Sequence, residues 1–199
     1  WLGIDWDEGV EIGGPHGEYK QSLRFDRYQE VAEQLLSEGL AYEDDGAIRF
    51  KVPENGSIDF KDYVRGEMSF NLSDVEDFVI LRSDKSPTYH LASTVDDIDY
   101  GVTIIARGED ILSSTPKHIL IMKALKSELP EFCHLPLLFG PDGKKLSKRH
   151  GDTSVEAFRD KGILQVAMFN YLCLLGWSPG NDLEKFDSEL AVEKFDLHN

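Results

Sequence analysis

"VTIIARGEDILSSTPKHILIMKAL", residues 102–125, decides the fold. It opens on a short apolar run of the kind that forms a buried strand, and the run ends in Arg107-Gly108. Thr115-Pro116 then reads as the N-cap and N1 proline of a helix, continued by Ile119, Leu120, Met122 and Leu125. "HLPLLFG" (134–140) reads as a second strand. Strand, helix and strand in this order imply a parallel βαβ unit and an α/β fold. Open α/β sheets bind ligands beyond the carboxyl ends of their strands. Arg107 and the loop "GKKLSKRHG" (143–151) both fall at that edge.

Upstream, "EIGGPHGEYKQS" (11–22) is a glycine-rich loop, and Ser22 is placed to cap the next helix. Tyr28, Val31, Ala32, Leu35 and Leu36 follow a helical spacing, and Gly39 ends it. "AIRFKV" (47–52) alternates, with Ile48, Phe50 and Val52 on one face. Pro53 to Gly56 reads as a turn, and "SIDF" (57–60) resumes the alternation, so a hairpin is expected across 53–56. "FVILRS" (78–83) is another buried strand, and the hairpins at 48–82 read as a separate antiparallel insertion. Downstream, Thr153 and Glu156 suggest a capping box. "ILQVAMFNYLCLLGW" (163–177) is apolar on nearly every side and reads as a buried helix. "DSELAVEKF" (187–195) reads as a last short helix. There is no internal repeat and no low-complexity segment.

The 199 residues suit one large domain or two small ones. A formal net charge of -16 repels nucleic acid at long range. That counts against a general nucleic-acid binder but allows an enzyme with a local basic track. The two cysteines, Cys133 and Cys173, form no C-x-x-C pair, so neither a disulfide framework nor a zinc site is expected. Reduced thiols point to the cytosol. No apolar run approaches the roughly 20 residues of a membrane span, and no signal-peptide pattern is present. The chain opens on "WLGIDWDEG" without Met and stops in "KFDLHN", so it reads as an internal piece of a longer polypeptide.

Three clusters carry candidate chemistry. Lys144, Lys145, Lys148 and Arg149 crowd one short loop with glycine at both ends. Such cations suit a polyphosphate whose charge changes during reaction; the alternative is a solvated charge run. Arg107 can clamp a carboxylate through two parallel hydrogen bonds; the alternative is an ion pair with Glu109 or Asp110. In "SPTYHLASTVDD" (86–97), Tyr89 and His90 are polar groups on an apolar stretch. The Tyr89 hydroxyl suits a small polar substrate, or else belongs to a core tyrosine. Asp96 and Asp97 would orient a substrate amine or cap a turn. His134 beside Cys133 is not read as a metal site, because neighbours on a strand face opposite sides.

Taken together, "WDEG", "GGPHGEYKQS", "SPTYHLASTVDD", "ARGEDILSSTPKH", "HLPLLFGPDGKKLSKRHG" and "NYLCLLGWSPG" stand in the order found in bacterial-type glutamyl-tRNA synthetases. The chain resembles that family over nearly its whole length. "KLSKR" (145–149) is similar to the class I synthetase KMSKS signature, which is weak alone; six blocks in order are specific. The resemblance implies a partial Rossmann-like catalytic domain of the class I α/β type, with an α+β acceptor-binding insertion and a following helical stem-contact region. It divides the chain into 1–24 and 93–143 of the catalytic domain, 25–92 as the insertion, and 144–199 as the KMSKS-type loop and helical region.

It also implies a reaction. ATP and L-glutamate give glutamyl-adenylate and pyrophosphate, and the glutamyl group passes to the 3′ end of tRNA(Glu). Lys145, Ser147, Lys148 and Arg149 would embrace the ATP phosphates, with Lys148 and Lys145 the catalytic cations. Asp110 and Leu138 would lie near the ATP base and ribose. Arg107 would bind the glutamate side-chain carboxylate, with Tyr89 against the amino acid and Ser93 where some relatives have Asn. Mg2+ would accompany ATP, no zinc is expected, and the enzyme would be a cytoplasmic monomer.

The match has three gaps. The HIGH signature and its surroundings are missing, so these residues alone should not activate glutamate. The junction between Tyr42 and Ala47 is short by some tens of residues, which reads as residues dropped from the sequence rather than a true deletion. No anticodon-binding domain follows Asn199. The rival readings are a glutamyl-Q tRNA(Asp) synthetase-like paralogue, a glutamine-specific relative, and a non-catalytic remnant that binds tRNA or a protein.

Overall fold

The computed structural model describes residues 1–140, 142–146 and 154–197. The chain folds as two compact units, one of residues 6–134 and one of residues 1–5 with 135–199.

The larger unit begins its regular structure with helix α1, Phe25–Ser37, which buries Tyr28, Val31, Ala32 and Leu35 on one stripe. Ser22 does not cap it. Ser22 lies in a short 3-10 turn, Gln21–Leu23, and the N-cap is Arg24, which caps with no side-chain bond. Gly39 closes the helix as expected. Its φ is +73°, and the Leu40 and Gly39 N–H groups reach back to the carbonyls of Leu35 and Leu36.

Strands β1 (Ala41–Asp44) and β2 (Ala47–Phe50) follow as an antiparallel hairpin. Its turn is Asp45-Gly46, both at positive φ, the two-residue turn that matches strand twist. The short junction between Tyr42 and Ala47 therefore closes directly as a hairpin. β2 also pairs antiparallel with β5 (Phe78–Leu81), giving a three-stranded sheet in the order β1-β2-β5.

The hairpin expected across 53–56 does not form. β3 (Ser57–Asp62) pairs with β4 (Gly66–Asn71) instead, and both belong to a second sheet in the order β4-β3-β7-β6. Alternation fixed which side chains point inward but not which strand is the partner. Nor are the hairpins at 48–82 one separate body, because β3 runs parallel to β7 (Glu131–Leu135).

β6 (Ile104–Gly108) and β7 are neighbours joined through helix α3, Thr115–Ala124. The Glu131 N–H bonds the Thr103 carbonyl at one end, and Arg107 touches His134 further along both strands. The strands thus advance together, as a βαβ unit requires. Two details differ from expectation. β6 is an edge strand with only Ile105 buried, and the strand after α3 lies at 131–135 rather than 134–140.

Helix α2, Tyr89–Asp99, packs with α1 and α3 over a shared core that includes Tyr28, Leu35, Ile58, Ile80, Leu91, Ile119, Ile121 and Phe132. Burial at this scale, about 25 cal/mol per Å² of apolar surface, is what holds such a layer together.

The second unit holds the segment after β7. Leu138 accepts a bond from the Leu146 N–H, and Phe139 bridges Lys145. Helix α4 (Val155–Asp160) starts at Ser154, whose side chain accepts from the Ala157 N–H. The N-cap is therefore Ser154, while Thr153 lies outside the described residues. Helix α5 (Gln165–Leu174) is not buried as its composition suggests. Only Met168 is, while Leu164, Val166 and Tyr171 are 70%, 67% and 55% exposed. Its helical neighbours in the unit are short: α4, and α6 (Ser188–Lys194), which Asp187 caps.

Candidate active site

The carboxyl ends of β6 and β7 and the first turns of α2 and α3 meet around one side chain. Arg107 is the fourth of five residues in β6, and His134 the fourth of five in β7. Arg107 donates from Nε to His134 Nε2 at 3.1 Å. One terminal nitrogen lies 3.0 Å from His118 Nδ1, and the other donates to Thr115 Oγ1 at 2.8 Å. The Tyr89 hydroxyl stands 3.5 Å from the first terminal nitrogen. Three of the five guanidinium N–H groups thus make short bonds.

Every one of those acceptors is neutral. Burial and the charge of Arg107, with smaller contributions from His90, His134 and Lys117, push the His118 imidazole down to about 3. Arginine keeps its protons, so the imidazole nitrogens facing it must offer lone pairs. His118 then carries its proton on Nε2 and donates it to His90 Nδ1, 3.2 Å away. His90 is itself pushed down by burial, Lys117 and Arg107.

Behind His134 lies Asp62. Its carboxylate is 2.6 Å from His134 Nδ1 and also accepts the N–H groups of Val64, Arg65 and His134. Burial alone would raise the Asp62 carboxyl, but the bonds from the imidazole and the three N–H groups outweigh it and hold it below the usual range.

The ion pair that would have made Arg107 structural is not with Glu109, which pairs with Arg65. Among the described residues no carboxylate forms an ion pair with Arg107. A half-buried guanidinium is thus aimed by neutral groups, with one N–H group unbonded and another in only a long 3.5 Å contact with the Tyr89 hydroxyl. That arrangement suits an incoming carboxylate.

The other sequence candidates fall in different places. Ser93 lies one helical turn after Tyr89 on α2 and is half-buried. Asp110 is exposed in the 3-10 turn Glu109–Ser114, and its Oδ1 would lie 2.6 Å from a Cβ at position 108. Lys145 and Leu138 belong to the second unit, both exposed. Ser147, Lys148 and Arg149 lie outside the described residues.

Asp96 is not available to a substrate amine. Tyr28 and Gln21 donate to it at 2.8 and 2.7 Å, and Arg24 pairs with it at 3.1 Å. Asp97 lines a cavity of about 330 Å³ with Gly101, Val102, Thr103 and Pro130, at the start of the strands. Burial pushes its carboxyl up to about 6, against the pull of Arg107 and with the repulsion of Asp96. The folded state therefore keeps a proton that the unfolded chain releases near pH 4. Stability is expected to fall by about 1–2 kcal/mol as pH rises from about 4 to 6, after discounting for partial exposure. Asp97→Asn should remove that fall, so urea unfolding should show it stabler than wild type at pH 7 and equal at pH 4. A difference of the same size at both pH values would contradict this.

Sequence reading missed Asp62, Thr115, His118 and His134 as parts of this site. Thr115 reads from sequence as a helix cap, yet its hydroxyl accepts from Arg107 and α3 is capped at Ser114 with no side-chain bond. His118 did carry a signal, since it follows Thr115 by three residues and so shares its helix face. Asp62 lies 72 residues from His134 and carried none.

The chain matches the family "tRNA synthetases class I (E and Q), catalytic domain" over residues 1–47 and 43–199. It is 41% identical to a glutamate–tRNA ligase of Carboxydothermus hydrogenoformans over 240 aligned positions, covering 99% of this chain and 50% of that protein. It is 44% identical to a glutamate–tRNA ligase of Acholeplasma laidlawii over 206 positions, covering 100% of this chain and 46% of that protein. The two lengths show that some relatives carry tens of extra residues and others almost none. The family match breaks at 43–47, the β1–β2 turn. A crystal structure of a glutamate tRNA ligase from Elizabethkingia meningosepticum, in complex with its amino acid, superposes with a TM-score of 0.90 at 30% identity, over 100% of this chain and 53% of that one. The chain spans about half the length of the relatives it matches. On this evidence the chain belongs to the catalytic-domain family of the class I tRNA synthetases for E and Q.

Proposed function

We propose that the polypeptide carrying this chain joins L-glutamate to tRNA(Glu) in two steps through a glutamyl-adenylate. The observation that carries the reading is Arg107, held by neutral acceptors with donor capacity to spare and no carboxylate ion pair among the described residues. The glutamate side-chain carboxylate takes the two N–H groups that make no short bond. The Tyr89 hydroxyl, already 3.5 Å from the guanidinium, lies alongside the amino acid, and Ser93 borders the same pocket one turn further. A neutral amide in place of the carboxylate would bring its own N–H groups to a fully cationic donor, so the arrangement favours the acid.

In this reading residues 1–24 and 93–143 form the catalytic body and 25–92 take the acceptor stem. Residues 144–199 carry the KMSKS-type loop and the helices that follow the tRNA. Lys145, Ser147, Lys148 and Arg149 hold the ATP phosphates and stabilise charge on the departing pyrophosphate. Asp110 and Leu138 border the adenosine. Mg2+ arrives with ATP as part of the substrate. The enzyme acts as a cytoplasmic monomer; no helix of the described residues is long and apolar enough to cross a membrane.

The test is tRNA charging by the full-length polypeptide with ATP, Mg2+ and labelled glutamate, glutamine or aspartate. Transfer of glutamate to unmodified tRNA(Glu) is expected. Transfer of another amino acid, or of glutamate only to a modified base of tRNA(Asp), would overturn the reading.

A further inference from the structure

We infer that Asp62 and His134 are positioning residues for glutamate recognition, a dyad that fixes the imidazole tautomer and through it the plane of the Arg107 guanidinium. This rests on the reading of Arg107 as the carboxylate clamp.

Asp62 is 1% exposed and its carboxylate is fixed by three backbone N–H groups besides the imidazole. Such an anion cannot swing to meet a partner. His134 is fully buried, and its two ring nitrogens have opposite duties. Nδ1, 2.6 Å from the carboxylate, must carry the proton. Nε2, 3.1 Å from Arg107 Nε, must carry the lone pair. The ring is a one-way connector whose direction Asp62 sets.

An imidazole between carboxylate and guanidinium differs from a direct pair. A carboxylate touching Arg107 would occupy two of its N–H groups side by side, the same fork a substrate carboxylate needs. It would also cancel the charge at the recognition face. The imidazole uses one N–H and holds the anion a ring's width further off, where its attraction for the guanidinium is weaker. Arg107 is oriented without being neutralised. Thr115 completes the frame: its hydroxyl accepts from Arg107 and lies 3.1 Å from His134 Nε2. If the His134 proton moved to Nε2, two N–H groups would face each other at a fully buried ring.

The experiment uses the full-length polypeptide with histidine-selective 15N labelling and steady-state charging kinetics. In wild type, the His134 resonances, identified by their loss in His134→Gln, should show a protonated Nδ1 and a lone pair at Nε2. Asp62→Asn keeps size and two acceptor lone pairs but turns an N–H toward Nδ1, which reverses the tautomer. It should raise the KM for glutamate about 10- to 100-fold, with the KM for ATP and kcat at saturating glutamate within about 3-fold. His134→Gln can still donate to Asp62 and accept from Arg107, and should stay within about 3-fold of wild type for glutamate. His134→Leu can do neither and should behave as Asp62→Asn.

A wild-type His134 protonated at Nε2, or as imidazolium, overturns the inference whether or not any variant folds. So do folded Asp62→Asn and His134→Leu proteins with normal glutamate KM while Arg107→Ala loses glutamate; in that case the clamp stands and the dyad falls. If Arg107→Ala itself keeps normal glutamate kinetics, the reading of the clamp fails first.

Discussion

Arg107→Ala is expected to lower kcat/KM for glutamate by about 10²- to 10³-fold while leaving the KM for ATP within a few-fold of wild type. Removing one partner of a desolvated, hydrogen-bonded charge pair costs about 2–5 kcal/mol, and each 1.4 kcal/mol is tenfold. The loss has two sources. The substrate carboxylate loses its donors, and His134, His118 and Thr115 lose the cation their lone pairs face. Arg107→Lys should recover little, because one ammonium cannot bond three separated acceptors and a carboxylate fork together. Normal glutamate KM and kcat in Arg107→Ala would remove the clamp from the account.

Lys148→Ala should cut adenylate formation about 10²-fold or more, the scale of losing one electrostatic contact to charge that develops in the transition state. Glutamate-dependent pyrophosphate exchange, with tRNA present, is the measurement. Glutamate affinity should be little changed, since in the proposed reading Lys148 acts on phosphate. The two variants therefore separate: one fails on the amino acid, the other on ATP. Unchanged exchange in Lys148→Ala would mean that the cations of 143–151 are a solvated charge run on an acidic body.

The βαβ unit was legible because each of its signals is local. An apolar run, Thr115-Pro116 and a helical apolar spacing each depend on a few neighbouring residues. Strand pairing was less so. Ile48, Phe50, Ile58 and Phe60 share one alternation, yet β2 and β3 enter different sheets. The better signal was Asp45-Gly46, whose positive φ angles suit a two-residue hairpin turn and which pairs β2 with β1. Composition misled for α5, since apolar residues all round specify a helix to be covered, not what covers it. In the described residues its face stays open at Leu164, Val166 and Tyr171.

At the site, Arg107 and Tyr89 could be named from sequence because their chemistry is unusual for their positions. Their support could not. His134 looked like a poor metal ligand beside Cys133, and only the fold brings Asp62 to its other nitrogen. Thr115 had a sound local reading as a cap, and a tertiary partner outbid the helix for its hydroxyl. A side chain of unusual type for its position is visible in the sequence; those that aim it are common residues made significant by contacts across the chain.

The most direct test is the crystal structure of the full-length polypeptide with a non-reactive glutamyl-adenylate analogue. The account predicts the side-chain carboxylate on the two N–H groups of Arg107 that make no short bond, with His134, His118 and Thr115 still in place behind it. A carboxylate bound elsewhere, with Arg107 bonded only to its histidines and threonine, would contradict it.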